Sequence, residues 1–321
     1  MTTDHIILAH RLTPYAGLAA DAFLDALREE APAWGHLDAG QPAVRDWLEE
    51  VLAAEDPIVL DALLAPSTRP VFVQHGAGAV LILRGVNLNA GADPEDMISL
   101  RLWADARGVI SMGLRKLRAV EDLDQQLAGG QGPGGSGALV AALAGRICAR
   151  MEPTLEALDD VIADLEQSVL DAPKPETRAA IATARRRAIV LRRYLAPQRE
   201  ALMGMAQSDL SWLDAGDRRE LRFAADRMAR YVEDLDALRE RAQVIAEELA
   251  NTLSQRLDRN LYVLSIVSAI FLPLGFLTGL LGINVGGVPG VESGAAFWVV
   301  TAGLAALGVG ALALFRWLRW F

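Results

Sequence analysis

The most constraining feature of this chain is a long stretch near its C-terminus that carries no charge. No charged residue lies between Arg259 and Glu292, and residues 261–281 within that gap read LYVLSIVSAIFLPLGFLTGLL. Because a helix rises 1.5 Å per residue, this run would form a helix about 30 Å long, the hydrocarbon thickness of a bilayer. A second uncharged run extends from Ser293 to Phe315. The two runs predict two transmembrane helices. The alternative, two buried helices of a soluble core, is disfavoured because core helices rarely lack charge over such a length.

The charges that flank the two runs predict the orientation of the chain. Arg256 and Arg259 precede the first run, Arg316 and Arg319 follow the second, and the segment between the runs has no basic residue. Basic residues favour the cytoplasmic side of a membrane. We therefore expect a multi-pass inner-membrane protein with both termini in the cytoplasm. The first ten residues lack the basic start and apolar stretch of a cleavable signal peptide.

The rest of the chain is acidic. The sequence has 31 basic and 41 acidic residues, a formal net charge of −10. Only four basic and two acidic residues lie from Arg256 onward, which leaves 27 basic and 39 acidic residues, or −12, in residues 1–255. This balance argues against nucleic acid as a partner, because phosphate backbones require a basic surface.

Residues that could form an enzymatic site or a tight metal site are scarce. Cys148 is the single cysteine, so the chain can form neither an intrachain disulfide nor a cysteine-rich metal site. Gly129–Gly137, GGQGPGGSG, lacks the Gly-Lys-Ser/Thr ending of a phosphate-binding loop and is interpreted as a flexible linker. We expect no enzymatic activity and no bound cofactor.

The acidic part begins with alternating short β-like runs and helical patterns. The predicted strands cover His5–Ala9, Val71–Gln74, Val80–Leu83, Ile98–Trp103 and Val109–Met112. Helical patterns occur between and after them, around Leu18–Glu29, at Val44–Leu52 and beyond Leu114. We predict an α+β domain whose mixed or antiparallel sheet has helices on both faces.

After the linker the chain becomes helical. One helix is predicted from about Ala138 to Leu170 and a second from about Glu176 to Ala206, separated by a Pro-containing break. The second helix carries five arginines, which we expect to be solvated or paired with carboxylates: Arg185, Arg186, Arg187, Arg192 and Arg193. A third helical pattern has an apolar stripe from Met228 to Leu257 that one helix cannot bury alone. This stripe predicts packing against neighbouring helices, including those of other subunits.

These patterns divide the chain into seven predicted segments. They are an α/β domain over 1–128, a linker with helices over 129–216, a stalk helix over 217–260, a first transmembrane helix over 261–281, a periplasmic loop over 282–294, a second transmembrane helix over 295–315 and a cytoplasmic C-terminus over 316–321.

One face of the first predicted span is narrow and uncharged. Steps of three and four residues along it select Leu261, Leu264, Ser268, Leu272, Gly275 and Gly279. Two spans cannot enclose a pathway, so transport would require several copies of the chain. The face has two interpretations that the residues leave open. Small residues favour close helix packing in membranes, and rings of leucine with glycine carbonyls suit the lining of a gated pore.

The residues around this span resemble those of a known family. The stretch YVLSIVSAIFLPLGFLTGLLGIN is similar to the first span and signature loop of the CorA-type divalent-metal transporters, whose Gly-x-Asn motif corresponds to Gly282, Ile283 and Asn284. Ile283 departs from the Met that is typical of the magnesium branch. Further stretches resemble the zinc-transporting ZntB branch: NVGGVPG after the span, Trp34–Asp38, Arg84–Asn89, Ile98–Asp105 and Leu191–Glu200.

The resemblance implies a homopentamer whose first spans line a pore, with both the lipid bilayer and divalent cations as partners. It places Gly282, Ile283 and Asn284 at the outer mouth, where the side-chain carbonyls of Asn284 would hold a hydrated cation. Glu292 either concentrates cations near this mouth or is an ordinary solvated loop residue. We expect a zinc transporter, with proton coupling implied by the ZntB branch. The alternatives are a magnesium or broad-specificity channel of the same fold and, in another class, a membrane-tethered scaffold or sensor.

Overall fold

The structure is a computed structural model that describes residues 4–29, 32–53, 55–171, 174–282, 290 and 293–317. The chain forms two compact units, residues 1–246 and residues 247–321. The first unit contains a seven-stranded sheet with strand order β2-β1-β3-β7-β6-β5-β4. Its strands are β1 (Ile6–Leu12), β2 (Tyr15–Gly17), β3 (Ala33–Asp38), β4 (Val71–His75), β5 (Gly78–Gly85), β6 (Ile98–Asp105) and β7 (Gly108–Gly113).

The sheet is mixed, as predicted. Only the pair of β3 with β7 is parallel, and the other paired neighbours run antiparallel. The helices beside it are α1 (Ala20–Arg28), α2 (Ala43–Val51), α3 (Pro57–Leu64), α4 (Arg118–Ala128) and α5 (Ser136–Ala149). The first three cover one face and the last two cover the other. The predicted α+β architecture with helices on both faces is therefore confirmed.

The core between the sheet and α1–α3 is built from large side chains. Phe23 and Trp47 stack with ring centroids 6.3 Å apart, and both are buried. The Phe23 ring lies directly over Gly35 in β3, where any Cβ would collide with it. Glycine at this position therefore lets α1 approach the sheet closely, which explains a glycine in the middle of a buried strand.

The opposite face of β3 carries a polar cluster that the sequence did not reveal. Ser111 Oγ accepts a hydrogen bond of 2.8 Å from Trp34 Nε1 and lies 2.9 Å from His36 Nδ1. His10 Nε2 lies 2.6 Å from Asp124 Oδ1 on α4. Complete burial lowers the pKa of His36 to about 4, because the charged imidazolium would lose its hydration.

Three further helices extend the first unit: α6 (Glu152–Asp171), α7 (Thr177–Gln207) and α8 (Ala215–Leu281). The single helix predicted over Ala138–Leu170 is instead two helices, α5 and α6. The chain leaves α5 at Arg150 and Met151, and Pro153 stands in the first turn of α6, where a missing N–H is tolerated. The predicted helix over Glu176–Ala206 is confirmed as α7, which continues through Pro197.

Most of the α7 arginines follow the prediction that they are paired or solvated. Arg187 Nε lies 2.9 Å from Glu95 Oε1, and Arg192 Nε lies 2.6 Å from Asp236 Oδ1. Arg185 and Arg186 are exposed. Arg193 donates a hydrogen bond of 2.9 Å to the Tyr194 hydroxyl.

Helix α8 starts with a reciprocal cap and then runs for 67 residues. Asp217 N donates to Asp214 Oδ1 at 2.8 Å, and Asp214 N donates to Asp217 Oδ2 at 3.1 Å. This exchange satisfies two backbone donors that a helix start leaves free. The second unit contains the C-terminal part of α8 and α9 (Ala296–Trp317).

Candidate ion pathway

Helices α8 and α9 are both long and apolar enough to cross a membrane. Their most apolar windows have mean hydropathies of 2.2 and 2.0, with at most 6% of either window buried. Helices that are this apolar and yet exposed are unsuited to water, because they leave large apolar areas uncovered. Their exposure therefore fits a bilayer and excludes the alternative of a buried soluble core.

The two helices face each other across an apolar groove of about 540 Å³. Its lining consists of Ala269, Ile270, Pro273, Leu274 and Leu277 of α8 with Gly303, Ala306, Leu307, Gly310, Ala311 and Leu314 of α9. The small residues belong mainly to α9, where they reduce the bulk between the helices. This groove fixes which side of the first span is turned toward the second.

The predicted pathway face lies on the other side of α8. Leu261, Leu264 and Leu272 are 59%, 61% and 74% exposed. A Cβ added at Gly275 or Gly279 would meet no atom within 4 Å. At 100° per residue, this face is centred roughly opposite the groove residues. The structure thus brings the six predicted residues together on one side of the span that the rest of the chain leaves uncovered.

The hydroxyl groups of the first span differ in their bonding. Ser265 Oγ donates to the Leu261 carbonyl at 2.8 Å, and Thr278 Oγ1 donates to the Leu274 and Gly275 carbonyls at 3.0 Å. Among the described residues, Ser268 Oγ has no hydrogen-bond partner. Its hydroxyl therefore stays available on a face that otherwise presents leucine and glycine.

The outer end of α8 is described only as far as Gly282. Its backbone N–H donates to the Thr278 carbonyl at 3.0 Å and to the Gly279 carbonyl at 3.2 Å, which closes the last helical turn. Ile283, Asn284 and Glu292, the other predicted residues of the mouth, lie outside the described residues.

The described residues of this face carry no charged side chain. In the part of the chain that the structure describes, no group of three or more His, Cys, Asp or Glu side chains is placed to hold a metal ion. Tyr262 is the one titratable side chain between Leu261 and Gly282. A face of this kind can control the passage of water and ions by wetting and drying, and its glycines can offer backbone carbonyls.

Comparison with known proteins decides the family. The family model described as CorA-like Mg2+ transporter protein matches residues 29–317. The chain belongs to this family. It is accordingly a divalent-cation transporter and not an enzyme, and the predicted membrane-tethered scaffold is not supported.

Relatives of this family match almost the whole chain. The divalent cation transporter CmaX of Pseudomonas aeruginosa is 40% identical over 306 residues, covering 93% of this chain and 90% of that protein. The zinc transport protein ZntB of Pectobacterium atrosepticum is 34% identical over 285 residues, covering 89% and 86%. The predicted resemblance to the CorA superfamily and its ZntB branch is confirmed.

Solved structures of the family share the fold. The full-length CmaX structure has a TM-score of 0.83 at 37% identity and covers 100% of this chain and 99% of its own. The CorA magnesium transporter from Methanocaldococcus jannaschii has a TM-score of 0.82 at 16% identity, with 98% of each chain covered. The predicted CorA-like fold is therefore confirmed.

Two of the stretches that carry the family resemblance contact each other inside the first unit. Gln198, which is fully buried in α7, accepts a hydrogen bond of 2.6 Å from the Arg84 backbone N–H. The Arg84 guanidinium lies 4.9 Å from the centre of the Tyr194 ring and donates to the carbonyls of Thr68 and Met97. These residues join α7 to the sheet, so their role in the structure is to hold the helical layer in place.

Proposed function

We propose that this protein is an inner-membrane zinc transporter that assembles as a homopentamer around the exposed face of its first span. The observation that carries the proposal is that the two sides of this span have different surroundings. One side faces α9 across the groove, and the other side is uncovered and free of charge over its whole length. Copies arranged with the uncovered sides together would enclose a path with no charged residue to trap a divalent cation.

The ZntB relatives support zinc as the transported ion. The lack of a tight metal site among the described residues does not contradict this choice. A tight zinc site uses Cys, His and carboxylate at close spacing, but a transported ion must also leave its path. The pore face of the proposed path comprises Leu261, Leu264, Ser268, Leu272, Gly275 and Gly279. The proposed topology places both termini in the cytoplasm and the short loop after Gly282 in the periplasm.

The proposed selectivity element is the mouth formed by Gly282, Ile283 and Asn284. Amide oxygens attract a hydrated cation without the strong binding of a carboxylate ring. Asn284→Ala should abolish or strongly reduce uptake while leaving assembly intact. Normal uptake by a correctly inserted Asn284→Ala protein would remove Asn284 from the mechanism. Glu292→Gln tests whether the one acidic loop residue raises uptake at low cation concentration.

The deciding experiment is uptake into proteoliposomes that contain the purified protein. We expect zinc entry that competing Mg2+ does not suppress and that responds to an imposed pH gradient. Absence of zinc entry, with protein correctly inserted, would overturn the proposal. Entry that is unaffected by the pH gradient would remove proton coupling alone.

A broad-specificity divalent-cation transporter is the second candidate. It is favoured by the 40% identical relative, whose name specifies divalent cations rather than zinc. The same assay separates the two candidates. Equal inhibition of zinc entry by several divalent cations favours broad specificity, and weak inhibition favours zinc.

A further inference from the structure

Helix α7 has an exposed basic face whose charges have no carboxylate partner among the residues that the structure describes. We define the arginine stripe as Arg186 and Arg193, which lie two helical turns apart on the same side of α7. Both are exposed, and neither has a carboxylate within ion-pair distance among the described residues. The Arg193 guanidinium lies 4.8 Å from the centre of the Tyr194 ring and donates to its hydroxyl, and neither contact neutralises its positive charge.

Helix α8 has a complementary acidic face. We define the glutamate stripe as Glu233 and Glu240, which are exposed and are also two helical turns apart. Glu233 has no basic partner among the described residues, and Glu240 has only a contact of 4.0 Å with Arg239. The same side of α8 exposes a large apolar residue, Val244 at 61%, one turn beyond Glu240. A charged rim with apolar side chains beside it is the usual composition of a protein interface.

The two stripes lie at matching heights along the helices. Arg192 pairs with Asp236, and six residues further along α7 the Gln198 amide contacts the Met228 sulfur at 3.7 Å. Helices α7 and α8 are thus antiparallel, and Arg193 lies within about one turn of the level of Glu233. Arg186 is seven residues before Arg193, and Glu240 is seven residues after Glu233. Because the helices are antiparallel, Arg186 also lies within about one turn of the level of Glu240. Both stripes have charges spaced by about 10.5 Å.

Rotation about an axis parallel to these helices leaves the height of every residue unchanged. In a ring of copies, the arginine stripe of one copy and the glutamate stripe of its neighbour therefore lie at the same height, so that they are in register wherever the two faces meet. Each copy carries a formal net charge of −10, so copies repel one another unless opposite charges face each other at the contact.

We propose that the arginine stripe of each copy docks on the glutamate stripe of the next, pairing Arg193 with Glu233 and Arg186 with Glu240. The partner is a second copy of this chain, and the inference rests on the proposed ring assembly. Exposed ion pairs contribute little free energy individually. Their role is to set which faces meet and at what height, while apolar residues supply the contact area.

The first test is cross-linking between two single-cysteine variants. Arg186→Cys and Glu240→Cys, carrying different affinity tags, are co-expressed and treated with a short bis-maleimide. The native Cys148 gives no background, because it is buried and burial raises the pKa of its thiol to about 12. We expect a cross-linked dimer that carries both tags. The matched control replaces Glu240→Cys with Glu156→Cys, an exposed glutamate on α6, and should give no such dimer.

The second test reverses the charges. Arg186→Glu with Arg193→Glu should weaken each contact on the order of tenfold, because two attractive pairs become repulsive. Adding Glu233→Arg and Glu240→Arg to the same chain should restore assembly, as measured by the fraction of full oligomer at low salt. A four-fold variant that assembles no better than the double variant would overturn the pairing.

Zinc uptake by the unmodified protein is measured alongside both tests. Zinc uptake without a specific cross-link would mean that the chains assemble through a different contact. That result would overturn the proposed pairing of the stripes and leave the proposed zinc transport intact. A specific cross-link without uptake supports the contact and overturns the proposed transport of zinc. An oligomer that forms equally well in both charge-reversed proteins also overturns the inference.

Discussion

Leu272 and Ile270 lie two residues apart on α8, and their surroundings differ. Leu272 is 74% exposed on the proposed pore face, whereas Ile270 is half-buried in the groove against α9. The difference follows from the helical repeat, which turns residues two apart to roughly opposite sides. The pair therefore offers a test of the face assignment with a control in the same helix.

Leu272→Ser should raise the ion leak of liposomes severalfold. A ring of leucines offers too little polar surface to hold a water column, and hydroxyl groups in its place would wet the constriction. The measurement is ionic conductance or dye release at equal protein incorporation.

Ile270→Ser is the matched control and should leave the leak unchanged, although loss of contact with α9 would lower the yield of folded protein. An equal rise in both variants would mean that the substitutions destabilise the helix pair in general. No rise in either would contradict a leucine constriction.

His36 is a residue whose burial makes the first unit sensitive to acid. Its pKa is lowered from 6.5 to about 4 by burial, so the folded state prefers the neutral ring. The contribution of the neutral ring to the free energy of unfolding is fully present above pH 6.5 and is lost as the pH falls toward 4. A shift of this size corresponds to about 3 kcal/mol between the two limits.

His36→Asn should make the stability of the protein less dependent on pH between 6.5 and 4. An asparagine amide can take the place of Nδ1 beside Ser111 without acquiring a charge. The measurement is the thermal midpoint of the first unit in detergent as a function of pH. A variant that loses stability with acid as steeply as the native protein would contradict the assignment to His36.

At the scale of elements, the start of α8 depends on the pair Asp214 and Asp217. Asp214→Ala removes one of the two reciprocal hydrogen bonds and should lower the free energy of unfolding of the first unit by about 1 kcal/mol. Chemical denaturation in mild detergent measures this change. Asp226→Ala, on the exposed side of the same helix, should change stability by much less, and an equal loss in both variants would show that the cap is unimportant.

The predicted elements show which signals the sequence carries. The five predicted strands are present because alternating or continuous apolar runs mark them, and α7 and α8 are present because long helical periodicity marks them. Strand β3 was missed because its sequence, AWGHLD, contains a glycine and a histidine. In the folded chain, Phe23 packs over Gly35 and Ser111 lies beside His36, so both residues fit a buried strand. These partners are distant in sequence, so the local pattern could not reveal them. The three-residue β2 is too short to show a pattern.

At the scale of the whole molecule, the proposed assembly predicts a defined mass. Native mass spectrometry in mild detergent should give a complex of five chains of 34.5 kDa each. Two spans per chain cannot enclose a path, and the uncovered side of α8 needs a partner to be covered. A stable monomer or dimer under these conditions would contradict the assembly.

The candidate site could be predicted from the sequence to different extents. The uncovered face of the first span follows from helical periodicity alone, which is why Leu264, Ser268 and Leu272 fall on one side. The groove against α9 did not follow, because periodicity cannot show which small residues of the second span meet the first. The arginine and glutamate stripes each appear in the sequence, but their equal height depends on how α7 and α8 pair.

The two edges of the sheet have a consequence for the way copies of this chain can associate. At one edge β2 has only three residues, and the side chains of Thr13 and Tyr15 donate hydrogen bonds to the Gly134 and Gly132 carbonyls. At the other edge α7 packs against β4, and Gln74 donates a 2.7 Å hydrogen bond to Asp209. A long open edge would let newly made chains add strands to one another without limit. With one edge short and the other flanked by a helix, aggregation through the sheet is disfavoured while copies await insertion into the bilayer.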